Sequence, residues 1–411
     1  MEYTGLSSIR LSDYHIDPQI GFLLRDALEV LPDYFRAWNH ISNPSVLIPL
    51  IESRTLRREV EKMPVVDHSR LCGHRQLRLA HLQLSVIVNG YVWQDGDHGV
   101  PKSLPPCLAI PFCGISRLLD VQPILSHIDL VLSNWAFIDK SRPPSLDNIR
   151  VLYNLPGGEE AAWFFKATVG VELAFCSALQ PMVTAIEAAD VGDDVTLIKC
   201  LVDLASTVNS MQTAVSKMHD GVSADTFYNV TRPFLTGWGG EGSPLPEGIV
   251  YEGVNDYPVQ MTGGSAAQSS TVQSIDALLG ITHAPDIQAF FDRMKPHMPR
   301  PHRQFLDDIR ERSKIKSYVH SSSNEDLKSA YGKCIQSLVD FRSYHIQLVT
   351  KYIVIASSKK RQEEEKYKSV SKKGTGGSSV LPFLKSSRDT TKQAYISDTK
   401  VTSDLNPAMN S

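Results

Sequence analysis

The sequence predicts an all-α protein, and two observations carry this prediction. Between residues 197 and 218 apolar side chains recur every three or four positions, as expected for one buried face of a helix. The same period runs through residues 338–355, whereas no segment alternates between apolar and polar residues for long enough to indicate a sheet. A fold of packed helices follows from these patterns.

The first third of the chain is typical of short helices followed by a longer one. Prolines separate three short helical segments between Pro32 and Pro64, because proline removes a helix hydrogen bond. In the longer helix that follows, five apolar residues keep the helical step: Leu77, Ala80, Leu84, Ile87 and Tyr91. Residues 95–106 indicate a loop, residues 109–135 return to apolar periodicity, and residues 141–148 indicate an exposed connector.

The next segment, residues 163–186, is the most apolar in the chain. It contains charged residues such as Glu172 and is interrupted by Pro181, so a buried helix is favoured over a membrane span. Asp193 or Asp194 is expected to be the N-cap of the helix that follows, because a short acidic side chain can accept a hydrogen bond from the first helical turn.

These elements predict four parts. Residues 1–153 form a small N-terminal helical domain and residues 154–356 a large helical domain. Residues 357–378, which are charged and contain Gly374, Gly376 and Gly377, are expected to be a mobile loop. Residues 379–411 are expected to form a C-terminal helix and a disordered tail.

The composition excludes several classes of protein. With 42% hydrophobic and 21% charged residues, the chain of 411 residues is an ordinary globular protein. Its net charge of −3 gives no reason to expect binding to nucleic acid or to a membrane surface. The six cysteines contain no CxxC pair, and the N-terminus lacks an apolar signal segment. A cytoplasmic location is expected.

The segment 338–355 (LVDFRSYHIQLVTKYIVI) contains a histidine on a buried helical face. Arg342 lies three residues before His345, on nearly the same side of the helix. The residues alone leave two interpretations open. His345 is either a core histidine with Arg342 in an ordinary ion pair, or a neutral imidazole that binds haem iron while Arg342 neutralises a propionate.

A second pair of side chains, Phe227 and Arg232, is predicted to lie about one helical turn apart. This pair suits an amino acid with an aromatic side chain, since Phe227 could stack on the ring and Arg232 could bind the carboxylate through two hydrogen bonds. A core phenylalanine beside a surface arginine is the commoner arrangement for such a pattern.

Several of these segments together resemble the indoleamine 2,3-dioxygenases, haem enzymes that open the indole ring of tryptophan. The pattern R-S-Y-H-I-x-x-V-T-K-Y around His345 resembles their proximal helix, and residues 231–238 (TRPFLTGW) resemble a second family segment. Pro233 departs from the mammalian pattern and removes a backbone hydrogen-bond donor just after Arg232. The resemblance runs from about Tyr14 to Lys385. It implies two helical domains with haem b bound between them.

The resemblance also implies the site residues. His345 would be the metal ligand, Arg342 and Ser265 would contact the cofactor, and Asp276 would support Arg342. The residues implied to contact the substrate are Phe164, Thr168, Phe227, Arg232, Leu235, Ala266 and Thr375. Thr375 would belong to a loop that closes over the substrate. No side chain is expected to act as an acid or base, since the haem iron carries the chemistry.

His127 stands where the tryptophan-selective members of the family carry a tyrosine. Together with Leu130, Thr168 and Tyr228, it resembles the second paralogue, which is associated with weak tryptophan binding. A role for His127 as a catalytic base is not expected, because the family's distal pocket is known for lacking a required acid or base.

The function implied by this resemblance is the cleavage of L-tryptophan by O2 on ferrous haem. The product would be N-formylkynurenine, the first step of the kynurenine pathway, and the enzyme would need an external reductant. Two alternatives are a haem protein that carries oxygen and a signalling scaffold that acts through Tyr251. The motif Ile249-x-Tyr251-x-x-Val254 fits an SH2-type partner, although a buried hydrophobic strip is the commoner explanation.

Overall fold

The structure is a computed structural model that describes residues 8–358 and 380–395. The α-helices are α1 (Arg36–Ser42), α2 (Pro44–Glu52), α3 (Leu56–Val60), α4 (Gly73–Trp93), α5 (Pro106–Leu119), α6 (Gly158–Val191), α7 (Asp194–Ser216), α8 (Met218–Gly221), α9 (Ala224–Thr226), α10 (Ser270–Leu278), α11 (Pro285–Met294), α12 (Arg300–Arg312), α13 (Ile315–Ser321), α14 (Glu325–Val349), α15 (Ala356–Ser358) and α16 (Val380–Gln393). The strands are β1 (Ser103–Leu104), β2 (Trp135–Phe137), β3 (Ile149–Val151) and β4 (Val250–Tyr251). The prediction of an all-α fold is therefore confirmed.

Shorter helical turns connect these elements. The 3-10 turns are Leu11–Tyr14, Asp33–Phe35, His68–Arg70, Asp97–Gly99, Leu146–Asn148, Arg232–Leu235, Ala266–Gln268 and Lys295–His297. The π-helical turns are Ile128–Leu132, Phe227–Thr231 and Thr350–Ile355. A π-turn widens the helix and is often found at functional sites.

Helix α7 lies at the centre of the larger part of the fold. It packs along α6 on one side and along α14 on the other, while α16 packs against α14. Its buried face is the predicted apolar stripe, which includes Leu197, Leu201 and Leu204. Asp193 is the N-cap, and its carboxylate accepts a hydrogen bond from the backbone N–H of Thr196 at 3.1 Å. The expected cap is confirmed.

Helix α6 is continuous over 34 residues, and Pro181 lies inside it. The prediction that Pro181 interrupts this segment was wrong. The helix is held by neighbours along its length, α7 in particular, and such packing compensates for the hydrogen bond that proline removes. By length and composition α6 could cross a membrane, but 56% of its apolar window is buried inside the protein. Glu172 is buried on it among polar partners, as in a core helix.

The short strands were not predicted from the sequence. Strand β2 pairs antiparallel with β3, and β1 pairs in parallel with β4. Two or three residues are too few to produce a detectable alternation of polar and apolar side chains. Strand β4 contains Tyr251, which is 1% exposed and donates a hydrogen bond from its hydroxyl to the carbonyl of Pro123 at 2.9 Å.

The main hydrophobic core extends from Ile9 to Ala394 and includes side chains from both sides of the predicted domain boundary near residue 153. A smaller cluster around Phe290 and Phe291 contacts Phe383 of α16. Most of the predicted loop at 357–378 and of the predicted tail lies outside the described residues.

Candidate functional site

One cavity of about 350 Å³ brings together side chains that are far apart in the sequence. All three π-turns contribute to its wall, through Leu130, Phe227 and Tyr352 respectively. Of the residues predicted to bind cofactor or substrate, these nine line it: Phe164, Thr168, Phe227, Arg232, Leu235, Ser265, Ala266, Arg342 and His345. Asp276 lies behind the wall, and Thr375 lies outside the described residues.

His345 projects from the last turns of α14, and its ring borders the cavity. Burial, together with the nearby charge of Arg342, lowers the pKa of His345 to about 4, so the imidazole is neutral at pH 7. No described residue forms a hydrogen bond to its ring, and no group of His, Cys, Asp and Glu among the described residues could hold a bare metal ion. A neutral imidazole with an available nitrogen is the side chain that an iron porphyrin needs as an axial ligand.

Arg342 connects three helices beside this histidine. Its guanidinium donates to both carboxylate oxygens of Asp276 on α10, at 2.9 and 2.6 Å, and to the carbonyl of Ser387 on α16 at 2.8 Å. Burial would raise the pKa of Asp276, but the charge of Arg342 and a hydrogen bond from His283 outweigh it and lower the pKa. Asp276 is therefore ionised, and it fixes a cation at the cavity wall.

Ser265 and Ala266 form another part of the wall, where a loop enters a 3-10 turn. The Ser265 hydroxyl accepts a hydrogen bond from the N–H of Ala267 at 3.2 Å, and the Gln268 side chain accepts one from the N–H of Ser265 at 3.2 Å. This capping box holds the turn rigidly. Because the residues are small, the backbone can approach a flat ligand closely.

Phe227 and Arg232 lie on the wall together with Phe164. The rings of Phe164 and Phe227 are 4.8 Å apart between centroids. Arg232 is 1% exposed, which excludes the surface arginine that the sequence had left open. Desolvation lowers its pKa to about 10, so the guanidinium remains charged at neutral pH. Its Cζ atom lies 5.3 Å from the ring centroid of Tyr228, which is not part of the cavity wall.

The helical segment that contains Phe227 and Arg232 changes its type between these two residues. A π-turn ends at Thr231, and a 3-10 turn covers Arg232–Leu235, with Pro233 near its start. Proline is well tolerated at that position because the N–H it lacks would have no helical partner there. The change of helix type turns both Phe227 and Arg232 toward the cavity.

The wall also contains residues that the sequence did not single out, and four of them are Glu172, Phe290, Phe291 and Phe383. Glu172 and His127 both line the cavity and form a hydrogen-bonded pair, with 2.9 Å between Oε1 of Glu172 and Nε2 of His127. The three phenylalanines add to the apolar lining. The spacing of Phe290 and Phe291 with Ile287 and Met294 on α11 is helical, which would have indicated a buried face but not a cavity.

Comparison with known proteins identifies the family. The family described as indoleamine 2,3-dioxygenase matches residues 10–394. The chain belongs to the indoleamine 2,3-dioxygenase family. It is 41% identical to indoleamine 2,3-dioxygenase 1 of Rattus norvegicus and 39% identical to indoleamine 2,3-dioxygenase 2 of Mus musculus, with 94% of this chain and 96% of each relative covered. These two identities are too close to place it nearer to either paralogue.

A protein named myoglobin from Haliotis diversicolor is 43% identical, over 94% of this chain and 99% of its own length. Enzymes of the indoleamine 2,3-dioxygenase family are haem b proteins that are active in the ferrous state, so the predicted cofactor is confirmed at the level of the family. The residues present fit that cofactor. His345 offers a neutral imidazole, Arg342 a fixed cation and the remaining wall a largely apolar surface.

Proposed function

We propose that this protein is a haem-dependent dioxygenase that cleaves the indole 2,3-bond of L-tryptophan with O2 to give N-formylkynurenine, the first step of the kynurenine pathway. The observation that carries the proposal is a single cavity that contains His345 together with Phe227 and the buried cation Arg232. Membership of the family supports the same reaction.

Three residues of the cavity wall would hold the cofactor. His345 would bind the haem iron, Arg342 would neutralise a propionate, and Ser265 would contact the cofactor near that propionate. Ferrous haem, when bound, supplies the binding and activation of O2. The cavity is lined by residues from before and after position 153, which supports haem binding between a domain at 1–153 and a domain at 154–356.

The polypeptide would bind and orient the substrate. Arg232 would bind the carboxylate, while Phe227 and Phe164 would pack on the indole ring. Further contacts would come from Thr168, Leu235 and Ala266. Thr375 in the substrate-covering loop stays part of the proposal, although it lies outside the described residues. The protein would contribute proximity and the exclusion of water, with no side chain acting as an acid or base.

The proposal includes weak tryptophan binding, with half-saturation in the high-micromolar to millimolar range. It is supported by the polar groups of His127 and Thr168 on a largely apolar wall, because each polar group that the indole ring desolvates weakens binding unless the substrate offers it a new hydrogen-bond partner. The Thr168 hydroxyl already donates to the carbonyl of Phe164 at 2.9 Å, so its desolvation is partly offset within the protein. Steady-state kinetics test this part, and a low-micromolar half-saturation would contradict it.

Reversible O2 binding without turnover is a second candidate function, because a relative of similar identity is named myoglobin. An oxygen carrier would not need Arg232 beside Phe227 in the cavity, so the presence of both residues favours a dioxygenase over a carrier. The signalling scaffold is less well supported. Tyr251 is 1% exposed and its hydroxyl is hydrogen-bonded, so phosphorylation and binding of an SH2-type partner would require this strand to open.

The remaining partners and the location belong to the same proposal. An external reductant would keep the iron ferrous, and neither nucleic acid nor a membrane would take part. A cytoplasmic location agrees with six free cysteines, four of them buried.

The experiment that tests the proposed function begins with protein reconstituted with haem and reduced in the presence of O2. Tryptophan is then added, and N-formylkynurenine is sought by mass spectrometry. Arg232→Leu is the matched variant, since it should keep the cofactor and form much less product at a subsaturating concentration of tryptophan. Absence of product from wild-type protein that has a full complement of haem and binds O2 would reject the dioxygenase and favour the carrier.

A further inference from the structure

His127 and Glu172 form a buried pair at the cavity wall. They are 5% and 3% exposed, and Nε2 of His127 lies 2.9 Å from a carboxylate oxygen of Glu172. Glu172 also accepts hydrogen bonds from the hydroxyls of Ser269 at 2.6 Å and Thr271 at 2.7 Å. Every described partner of this carboxylate can therefore donate to it.

This network determines which nitrogen of His127 carries the hydrogen. Burial would raise the pKa of Glu172, but the hydrogen bonds that its carboxylate accepts from His127, Ser269 and Thr271 act in the opposite direction, and the pKa is lowered. The ionised carboxylate can only accept hydrogen bonds, so Nε2 must donate to it. In the neutral imidazole, Nδ1 then carries a lone pair and no hydrogen.

The backbone around His127 is also fixed. Its N–H donates to the side-chain carbonyl of Gln268 at 3.1 Å, and the amide nitrogen of Gln268 donates to the carbonyl of Gly263 at 2.9 Å. The ring is thus held at its backbone and at Nε2. No described residue forms a hydrogen bond with Nδ1, and His127 borders the cavity.

The other polar groups of the wall are mostly donors or already bonded. Arg232 and Arg342 can only donate. The hydroxyl hydrogen of Ser126 is directed to Asp129 at 3.1 Å, and that of Thr168 to its own helix. The hydroxyl oxygens of Thr168 and Ser265 each keep a lone pair, and Thr168 is the rival acceptor tested below.

We propose that His127 is a specificity-determining residue whose Nδ1 accepts the ring N–H of a heteroaromatic substrate, and that Glu172 positions it by fixing the tautomer. The inference rests on the proposed function, because it assumes that the cavity binds an indole. According to this inference, His127 selects substrates that have a ring N–H over analogues of the same shape that lack one. A site built around a buried acceptor rejects such analogues because the acceptor then has no partner.

The test compares tryptophan with its benzofuran analogue, in which an oxygen replaces the ring N–H. Dissociation constants are measured from the change in haem absorbance when each compound binds to the ferric protein, so turnover is not needed. Wild-type protein should bind tryptophan at least about fivefold more tightly than the analogue, the low end of the cost of an unpaired buried acceptor. His127→Leu should bring this ratio close to one.

Two further variants separate the role of His127 as a hydrogen-bond acceptor from a purely structural role and from the rival acceptor Thr168. His127→Asn places a carbonyl oxygen near the position of Nδ1 and should restore much of the ratio. Thr168→Val removes the rival acceptor and should leave the ratio at the wild-type value. Circular dichroism and the Soret band are recorded for each variant, so that the ratio is interpreted only for folded protein with full haem.

The outcomes also separate this inference from the function on which it rests. If wild-type protein converts tryptophan but the ratio is unchanged by His127→Leu, or is lost in Thr168→Val instead, the inference is wrong and the dioxygenase stands. If the ferric protein binds neither compound and the ferrous protein forms no product, the proposed function fails and the inference fails with it.

Discussion

Replacing Arg232 by leucine removes the group that we expect to bind the substrate carboxylate. Arg232 is 1% exposed, and desolvation has already lowered its pKa to about 10. The guanidinium is therefore already shielded from water before the substrate arrives, so its contact with an incoming carboxylate is weakened little by solvent. The nearby ring of Tyr228, at 5.3 Å from Cζ, holds the cation in place but cannot replace a carboxylate.

The magnitude follows from the type of contact. A hydrogen bond to a charged group contributes about 1.5–3 kcal/mol, which corresponds to a change in affinity of roughly ten- to 150-fold. Arg232→Leu should raise the half-saturating concentration of tryptophan by that factor. Tryptamine, which lacks the carboxylate, should be affected much less. Arg232→Lys should be intermediate, since lysine keeps the charge but cannot form two parallel hydrogen bonds.

The assay is steady-state formation of the ring-opened product from tryptophan and from tryptamine, for wild type and both variants. Arg150→Leu is the control, because Arg150 is an exposed arginine that pairs with Glu29 at the surface. Equal effects of Arg232→Leu on tryptophan and tryptamine would refute the carboxylate contact and assign Arg232 a structural role. An unchanged response to tryptophan would refute any role in binding.

Three other predictions concern the cofactor, the buried ion pair and pH. His345→Ala should lose haem, measured as the ratio of haem to protein after gel filtration; a wild-type ratio and Soret spectrum would contradict the axial assignment. Asp276→Asn should leave Arg342 buried without its countercharge and lower the free energy of unfolding by about 3 kcal/mol, which urea unfolding measures; a shift no larger than that of the exposed control Asp292→Asn would contradict it. Burial lowers the pKa of His297 from 6.5 to about 4. As the pH falls, His297 is therefore protonated in the unfolded chain before it is protonated in the folded protein. The contribution of neutral His297 to the free energy of unfolding is fully present above pH 6.5 and should decrease by up to about 3 kcal/mol as the pH falls to 4. Thermal unfolding between pH 7 and 4 checks this, and a His297→Gln variant with the same pH dependence would refute it.

The helical framework was predictable because it depends on local periodicity. The apolar stripe of α7 and its cap at Asp193 follow from side chains a few residues apart, and both appear in the structure. Pro181 was misjudged for a physical reason. Proline is unfavourable inside an isolated helix, but the packing of α6 against α7 supplies enough stabilisation to continue through it.

The residues of the site were predicted from the resemblance to the family and from the need of a buried Arg342 for a charged partner. A buried guanidinium requires a partner, and the structure places Asp276 there, 66 residues away in the sequence. The pairing of His127 with Glu172 depends on the packing of three segments, so neither residue alone indicated it. The π-turn at Phe227–Thr231 likewise has no clear sequence signal, although it sets the direction of Phe227.

The most direct test of the account is a single turnover. Ferrous, haem-loaded protein is mixed with a limiting amount of O2 and an excess of tryptophan, and the N-formylkynurenine formed is compared with the O2 consumed. Because a dioxygenase places both oxygen atoms in the product, the account predicts one product molecule for each O2. Stable oxygenated protein that releases O2 unchanged in the presence of tryptophan would contradict it.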